Sequence, residues 1–320
     1  MSNVISMVRL AGDYLDERRQ LGFALGISGE QVTSFAHFVD ATGQTGSLTP
    51  AVVLSWVQGC AKYAKPFSWA RRLEVLQPFG KYLRRLDPAT KFPGAGIFGR
   101  AHRRLAPHIY SDREIIDLLA ACRSLPPADS LRSRMYETLF GLVAATGLRI
   151  SEALNLYCSD VDFDQGLLTV RETKFHKSRH VPVHTTTLSA LKRYFDIRTR
   201  HGFPGGASPL FLSSSGGQLV KRTVHGVFQR LRTDLCWTAR GSHPHVRIHD
   251  LRHTFICRRV QLWQDQGADI DNAIAALSTY VGHAKVSDTY WYLSGVPDLM
   301  AVVGKSFERF AADLGEDHHG

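Results

Sequence analysis

Cysteine is scarce in this 320-residue chain. Cys60, Cys122, Cys158, Cys236 and Cys257 are odd in number and scattered, and no two form a C-x-x-C pair. That spacing suggests neither a cysteine zinc site nor a disulfide framework, and it fits a reducing compartment. No apolar run reaches the roughly 18 residues of a membrane-spanning helix. The segment from Met1 to Leu10 lacks an apolar core long enough for a signal peptide. The expectation is therefore a cytoplasmic protein without a membrane partner. There is no internal repeat, no low-complexity tract and no acidic cluster of the kind that holds a divalent metal. What remains, 44% hydrophobic and 21% charged, is an ordinary globular composition of a length that suggests two domains.

The net charge of +10 is unevenly placed. Between positions 62 and 104 stand eleven basic residues: Lys62, Lys65, Arg71, Arg72, Lys81, Arg84, Arg85, Lys91, Arg100, Arg103 and Arg104. Only Glu74 and Asp87 oppose them, while the rest of the chain carries 28 basic and 27 acidic residues. One stretch of 43 residues thus holds almost the whole excess. A polyanion such as DNA is the natural partner, since each neutralised phosphate releases condensed counterions, although a solvated helix face has the same composition.

Apolar residues at helical spacing run through positions 4–21 and 32–39. Thr49-Pro50 reads as a helix start. A further helix is expected from Ser68 to about Leu86, kinked or broken at Pro78, with Leu73, Leu76, Phe79 and Leu83 on its core face. Its basic face carries Arg71, Arg72, Lys81, Arg84 and Arg85. Residues 1–100 form an N-terminal helical DNA-binding domain in this reading, and 101–108 a basic linker in which Arg103 and Arg104 join Arg100 along a phosphate backbone. The second domain, 109–320, opens with a helix start at Ser111-Asp112-Arg113-Glu114. A helix from about Arg134 stops at Gly147, and another runs from Ser151 to Leu156. GLLTVRE at 166–172 and HVPVH at 180–184 form a β-hairpin around a polar tip. The fold class is mainly α with a small antiparallel sheet.

Four segments carry chemistry: A-T-G-L-R-I-S-E at 145–152, Lys174 at the hairpin tip, H-D-L-R-H-T-F at 249–255, and Gly282-His283 followed by Tyr292. Guanidinium forks match the non-bridging oxygens of a phosphate and remain charged at any relevant pH. Such a clamp stabilises the extra negative charge of a phosphoryl-transfer transition state. A tyrosine serves as covalent nucleophile when a neighbour takes its proton, and a lysine or histidine can protonate the leaving oxygen. His249 and His253, at i and i+4, also have the spacing of two metal ligands, but no third ligand pattern accompanies them. Tyr290 and Tyr292 both fall in the last segment and point about 200° apart on a helix.

This set, in this order, resembles the tyrosine recombinases, a family that includes phage integrases and the Xer-type resolvases. The motif resemblance spans residues 111–303 and extends more weakly to the basic N-terminal domain. It implies that Arg149 and Arg252 grip the scissile phosphate, with helix N–H groups beside Arg149 adding to the anion site. Lys174 would act as general acid on the departing 5′ oxygen. His249 would take the proton of Tyr292, His283 would support the phosphate, and Glu152 would brace the site. Tyr292, nine residues after His283, would form a 3′-phosphotyrosine, with no metal, cofactor or ATP required. The family pattern glycine-lysine-glycine-x-lysine reads T-K-F-H-K at 173–177 here, which leaves Lys177 competing with Lys174; Lys177 is otherwise a DNA contact. Arg252 and His283 are separated by about eight residues more than is usual, and Gly267-Ala268-Asp269 reads as the turn between two lengthened helices.

The resemblance further implies double-stranded DNA as substrate, a homodimer on an inverted repeat and a synaptic homotetramer, with related recombinases as possible partners. Residues 298–314 are amphipathic (Leu299, Met300, Val303, Phe307, Phe310) and suit a helix exchanged between subunits or packed on its own domain. Integration, excision or transposition of a mobile element is the expected setting, with the protein bound to the nucleoid. A type IB topoisomerase and a catalytically silent DNA-binding regulator are the rivals. The short N-terminal domain and terminal helix weigh against the first, and the complete residue set against the second.

Overall fold

The computed structural model describes residues 6–44, 46–59, 65–102, 104–171, 178–213 and 215–295. Lys174, Lys177, Arg103 and the amphipathic segment 298–314 lie outside the described residues. The chain divides into two compact units between Arg104 and Leu105.

Among the described residues the first unit forms four helices: α1 (Met7–Gln20), α2 (Gly26–Ala41), α3 (Pro50–Gln58) and α4 (Pro66–Leu86). Ser6 caps α1 through the Arg9 amide, and the Asp40 carboxylate at the end of α2 accepts from the Met7 and Val8 amides. The open N–H groups of one helix are thereby satisfied by another. Thr49 and Pro50 start α3 as expected, although the Thr49 side chain makes no capping bond. In α4 the start lies at Pro66, with Lys65 as the cap residue, not at Ser68. At Pro78 the helix runs on, so of the expected kink or break it is the break that does not occur. Proline inside a helix costs about 3 kcal/mol. Leu73, Leu76, Phe79 and Leu83, on both sides of it, are buried among Tyr14, Phe35 and Trp56. Each contributes about 1.5–3 kcal/mol, so packing outweighs the local penalty.

The outer face of α4 exposes Arg71, Lys81, Arg84 and Arg85, the last 3.3 Å from Glu17 in a surface ion pair. Arg72 turns inward. Its guanidinium lies 3.9 Å from the centre of the Trp56 ring and donates to the Trp56 carbonyl at 2.8 Å.

In the second unit, α5 (Asp112–Arg123) starts at Ser111 with a capping box closed by Glu114. α6 (Leu131–Thr146) ends at Gly147, and α7 (Ile150–Leu154) follows at once. The sheet has three antiparallel strands in the order β1 (Val161–Asp162), β2 (Leu167–Val170), β3 (Arg179–Pro182). Leu168 pairs with Val161 and Val181, and Val170 pairs with Arg179. This register turns Val161, Leu168, Val170 and Val181 onto one buried face. Then come α8 (Thr185–Arg200), α9 (Lys221–Asp234), α10 (Ile248–Asp265), α11 (Ile270–Val281) and α12 (Ser287–Gly295). Leu118, Leu139, Phe140, Phe211, Val224 and Leu251 are at the centre of its core. The expected turn at 267–269 separates α10 from α11, with Asp269 capping the latter.

Candidate active site

Two glycines set the frame of the site. Gly147 ends α6 with φ +64°, and a Cβ there would come within 2.5 Å of the Phe255 ring. Gly282 ends α11 with φ +69°, and a Cβ there would meet the Arg179 guanidinium at 2.7 Å. Both positions need a left-handed backbone and both lack room for a side chain.

Arg149 follows Gly147 by two residues and is the cap residue of α7. Its amide donates to Glu152 Oε2 at 3.0 Å, its Nη1 donates to Glu152 Oε1 at 2.6 Å, and its Nη2 donates to the Gly282 carbonyl at 2.8 Å. Glu152 thus occupies the amide of Arg149 itself, one of the N–H groups at the start of the five-residue α7. Glu152 also accepts from Arg179 Nη2 at 2.9 Å and Nη1 at 3.2 Å. Burial pushes its pKa up, but the hydrogen bonds and charges of Arg179 and Arg149 outweigh this and leave it lowered, so the carboxylate is ionised.

Arg252, on α10, is 1% exposed. It donates to the Gly147 carbonyl and to the Val281 carbonyl, each at 2.7 Å. Burial, followed by the nearby Arg149, lowers its pKa to about 10, which still leaves it cationic at neutral pH. Three guanidiniums, those of Arg149, Arg179 and Arg252, thus gather on the carbonyls of residues 280–282 at the end of α11. Those carbonyls have no partner within their own helix and carry its negative dipole end. Among the described residues the carboxylate bonded to these cations is that of Glu152, which leaves an excess of positive charge suited to a phosphate.

The histidines line the same region. His249, Arg252 and His253 share a face of α10 by their i, i+3, i+4 spacing, and the two imidazoles meet edge to face at 4.7 Å. His249 keeps an exposed edge, yet the surrounding protein, then Arg252, Arg247, Arg149 and Lys221, lower its pKa to about 4. His283 contacts Thr289 Oγ1 through Nδ1 at 2.7 Å, and its pKa falls to about 4 through burial and then Arg252 and Arg149. Both rings are neutral at pH 7.

Tyr292 is 3% exposed, whereas Tyr290 is 38% exposed and donates its hydroxyl to Asp271 at 2.6 Å. The opposed directions of the two tyrosines follow from their two-residue separation on α12. The Tyr292 ring lies parallel to the His283 imidazole at 6.4 Å. Its hydroxyl is 2.7 Å from Nδ1 of His253, not from His249. Burial, then His249 and the neighbouring arginines, lower the His253 pKa to about 2, so its ring is neutral and presents a lone pair to the phenol in the matching tautomer.

Arg149, Glu152, His249, Arg252, His283 and Tyr292 are therefore brought together. Two members of the site were given no role in catalysis by the sequence reading, which weighed His253 as a metal ligand beside His249 and did not single out Arg179. His253 carried a signal, four residues after His249 on one helix face; Arg179 carried none beyond following the hairpin tip. Among the described residues no three His, Cys, Asp or Glu side chains gather as metal ligands, and no helix is long and apolar enough to cross a membrane.

Fold and site together define a mainly helical domain in which a buried tyrosine stands beside a cluster of arginines, a set of groups suited to phosphoryl transfer. Residues 110–295 match the phage integrase family. A putative integrase/recombinase of Sinorhizobium fredii, y4rB, is 37% identical over 301 residues, covering 93% of this chain and 95% of the relative. The tyrosine recombinase XerC of Chromobacterium violaceum is 31% identical over 226 residues, 70% of this chain and 68% of its own. In fold the chain resembles the Tn1549 transposon integrase solved with transposon right-end DNA, at a TM-score of 0.67 and 17% identity over 96% of this chain and 100% of that one. The chain belongs to the phage integrase family and is a tyrosine recombinase, an enzyme that exchanges DNA strands at specific sites.

Proposed function

We propose that this enzyme cleaves each strand by attack of Tyr292 Oη on a phosphate held by Arg149 and Arg252. The O–P bond to tyrosine forms as the bond from phosphorus to the 5′ oxygen breaks, leaving a 3′-phosphotyrosine. His249 takes the phenolic proton, Lys174 protonates the departing oxygen, and His283 supports the phosphate opposite the arginines. His253 holds the hydroxyl while the site is free of DNA. Attack by a 5′ hydroxyl of the partner strand reverses the chemistry, and the phosphotyrosine conserves the bond energy needed to reseal it.

The observation that carries this reading is the position of Tyr292: bonded to His253, parallel to His283, and close enough to bear on the ionisation of Arg252. In this reading residues 1–100 with the basic face of α4 form the second DNA-binding domain, joined by a linker at 101–108. Arg71, Lys81, Arg84, Arg85, Arg100 and Arg104 contact DNA there, together with Arg103, and Lys177 does so from the hairpin. Protomers pair on an inverted repeat and assemble as a synaptic homotetramer. The amphipathic 298–314 segment, in keeping with the family resemblance, links subunits. The setting is integration, excision or transposition of a mobile element, with the protein on cytoplasmic DNA.

A nicked substrate that loses a short fragment after cleavage traps the intermediate. Incubation with the ends of the protein's own element should give a denaturant-stable adduct joined through the 3′ phosphate, with a free 5′ hydroxyl on the released fragment. An adduct on the 5′ phosphate, or none on any candidate end, contradicts the reading.

A further inference from the structure

Arg179 lies outside every role assigned so far, yet its guanidinium makes four hydrogen bonds in the site. It leaves the start of β3 and is 12% exposed in its side chain. Its Nε donates to the Tyr280 carbonyl at 2.8 Å and its Nη2 to the Val281 carbonyl at 3.3 Å. Its two terminal nitrogens also meet both oxygens of Glu152, and the absence of a side chain at Gly282 gives it room. One guanidinium thus joins the sheet, the end of α11 and the carboxylate that holds Arg149.

The charges explain what this joint does. Glu152 is buried and ionised, and a buried carboxylate draws strongly on any cation within reach. If Arg149 alone neutralised it, the Arg149 guanidinium would be committed to Glu152 and its charge cancelled where the phosphate must bind. With Arg179 as a second counter-ion, Glu152 fixes the position of Arg149 and one net positive charge remains for substrate.

We propose that Arg179 is a positioning residue for strand cleavage: by neutralising Glu152 from the side of β3, it leaves Arg149 free to grip the scissile phosphate. The proposal rests on the phosphate-clamp role given above to Arg149. It concerns charge balance, not only scaffolding, and that difference is measurable.

The test compares wild type, Arg179→Met, Arg179→Lys, Arg149→Ala and Arg179→Met combined with Glu152→Gln in the whole chain. Adduct formation is timed on nicked DNA at saturating protein, and DNA affinity and thermal melting are measured in parallel. Arg179→Met should slow cleavage on the order of 100-fold, the scale of one lost transition-state donor, with DNA affinity changed less than about threefold. Removing the unbalanced carboxylate should then speed the reaction, with the double variant cleaving about tenfold faster than Arg179→Met. Arg179→Lys, which keeps the charge and loses the fork, should fall between wild type and Arg179→Met. A double variant as slow as Arg179→Met or slower, while both melt close to wild type, overturns the proposal and leaves Arg179 a scaffold residue. If Arg179→Met melts below the assay temperature, the Arg179→Lys protein decides alone: cleavage as weak as that of Arg149→Ala, with native melting, overturns it. Failure of the wild type to form adducts would sink the phosphate-clamp reading instead.

Discussion

The hydroxyl of Tyr292 and Nδ1 of His253 lie 2.7 Å apart, with the tyrosine almost wholly buried. The proposed nucleophile is therefore held at the wall of its site by a neutral histidine one helical turn from His249. Removing His253 should release it. His253→Ala is expected to retain cleavage, because it leaves both arginines and His249 in place, and to make Tyr292 reactive toward small phenol-directed reagents in the DNA-free protein. Equal labelling of Tyr292 in wild type and variant would contradict this.

The same histidines tie stability to pH. His249 and His283 have pKa values lowered to about 4 and His253 to about 2, against about 6.5 in an unfolded chain. A depressed histidine binds its proton more readily in the unfolded state, so stability is full above about 6.5 and is lost as pH falls toward the folded value. His253 alone should cost about 2 kcal/mol between pH 6.5 and 5. The lowered carboxylates Glu114 and Glu152 contribute losses only below their ordinary range, near 4.5 and under. Thermal melting should fall steadily from pH 7 to 5, and less steeply in His253→Gln. A flat profile over that window would show that the histidines are not held neutral.

Gly147→Ala tests the frame. The added methyl meets both a left-handed backbone and the Phe255 ring 2.5 Å away. The backbone penalty is about 1–2 kcal/mol, and displacement of the Gly147 carbonyl removes a partner of Arg252. Urea denaturation should show a loss of at least that size, and adduct formation should fall by more than the unfolded fraction explains. Wild-type cleavage in this variant would separate Gly147 from the clamp.

The arginines of α4 should behave unequally. Reversing Arg84 and Arg85 to glutamate should weaken DNA binding and flatten its salt dependence by about 0.9 in log–log slope for each phosphate no longer neutralised. Arg72→Ala should instead cost the protein about 1–2 kcal/mol of stability, since its guanidinium is engaged with the Trp56 ring and carbonyl. Titrations at several salt concentrations, beside urea denaturation, distinguish the two effects. An unchanged salt slope for the Arg84 and Arg85 variant would place DNA on another surface.

Much of this was legible in the chain because the signals are local. Gly147 stops a helix, Ser111 and Glu114 start one, and the runs at 166–172 and 180–184 mark a hairpin, each within a few residues. The motif residues of α10 fall on one face by helical spacing alone. What stayed hidden depends on distant partners. The passage of α4 through Pro78 is decided by Phe79 and Leu76 packing against α1, α2 and α3, not by the local sequence. Arg179 looks like one more polar residue after a turn; its meaning lies in Glu152, 27 residues back, and in carbonyls about 100 residues ahead. The strand β1 is two residues long, too short for any alternation to show.

The central claim is that Tyr292, not Tyr290, bonds to DNA. Purified wild type, Tyr292→Phe and Tyr290→Phe should be incubated with the same nicked substrate, and trapped peptides sequenced by mass spectrometry. The account predicts DNA on Tyr292 in wild type and in Tyr290→Phe, and no adduct in Tyr292→Phe despite normal DNA affinity. A persistent adduct in Tyr292→Phe that disappears in Tyr290→Phe would contradict it.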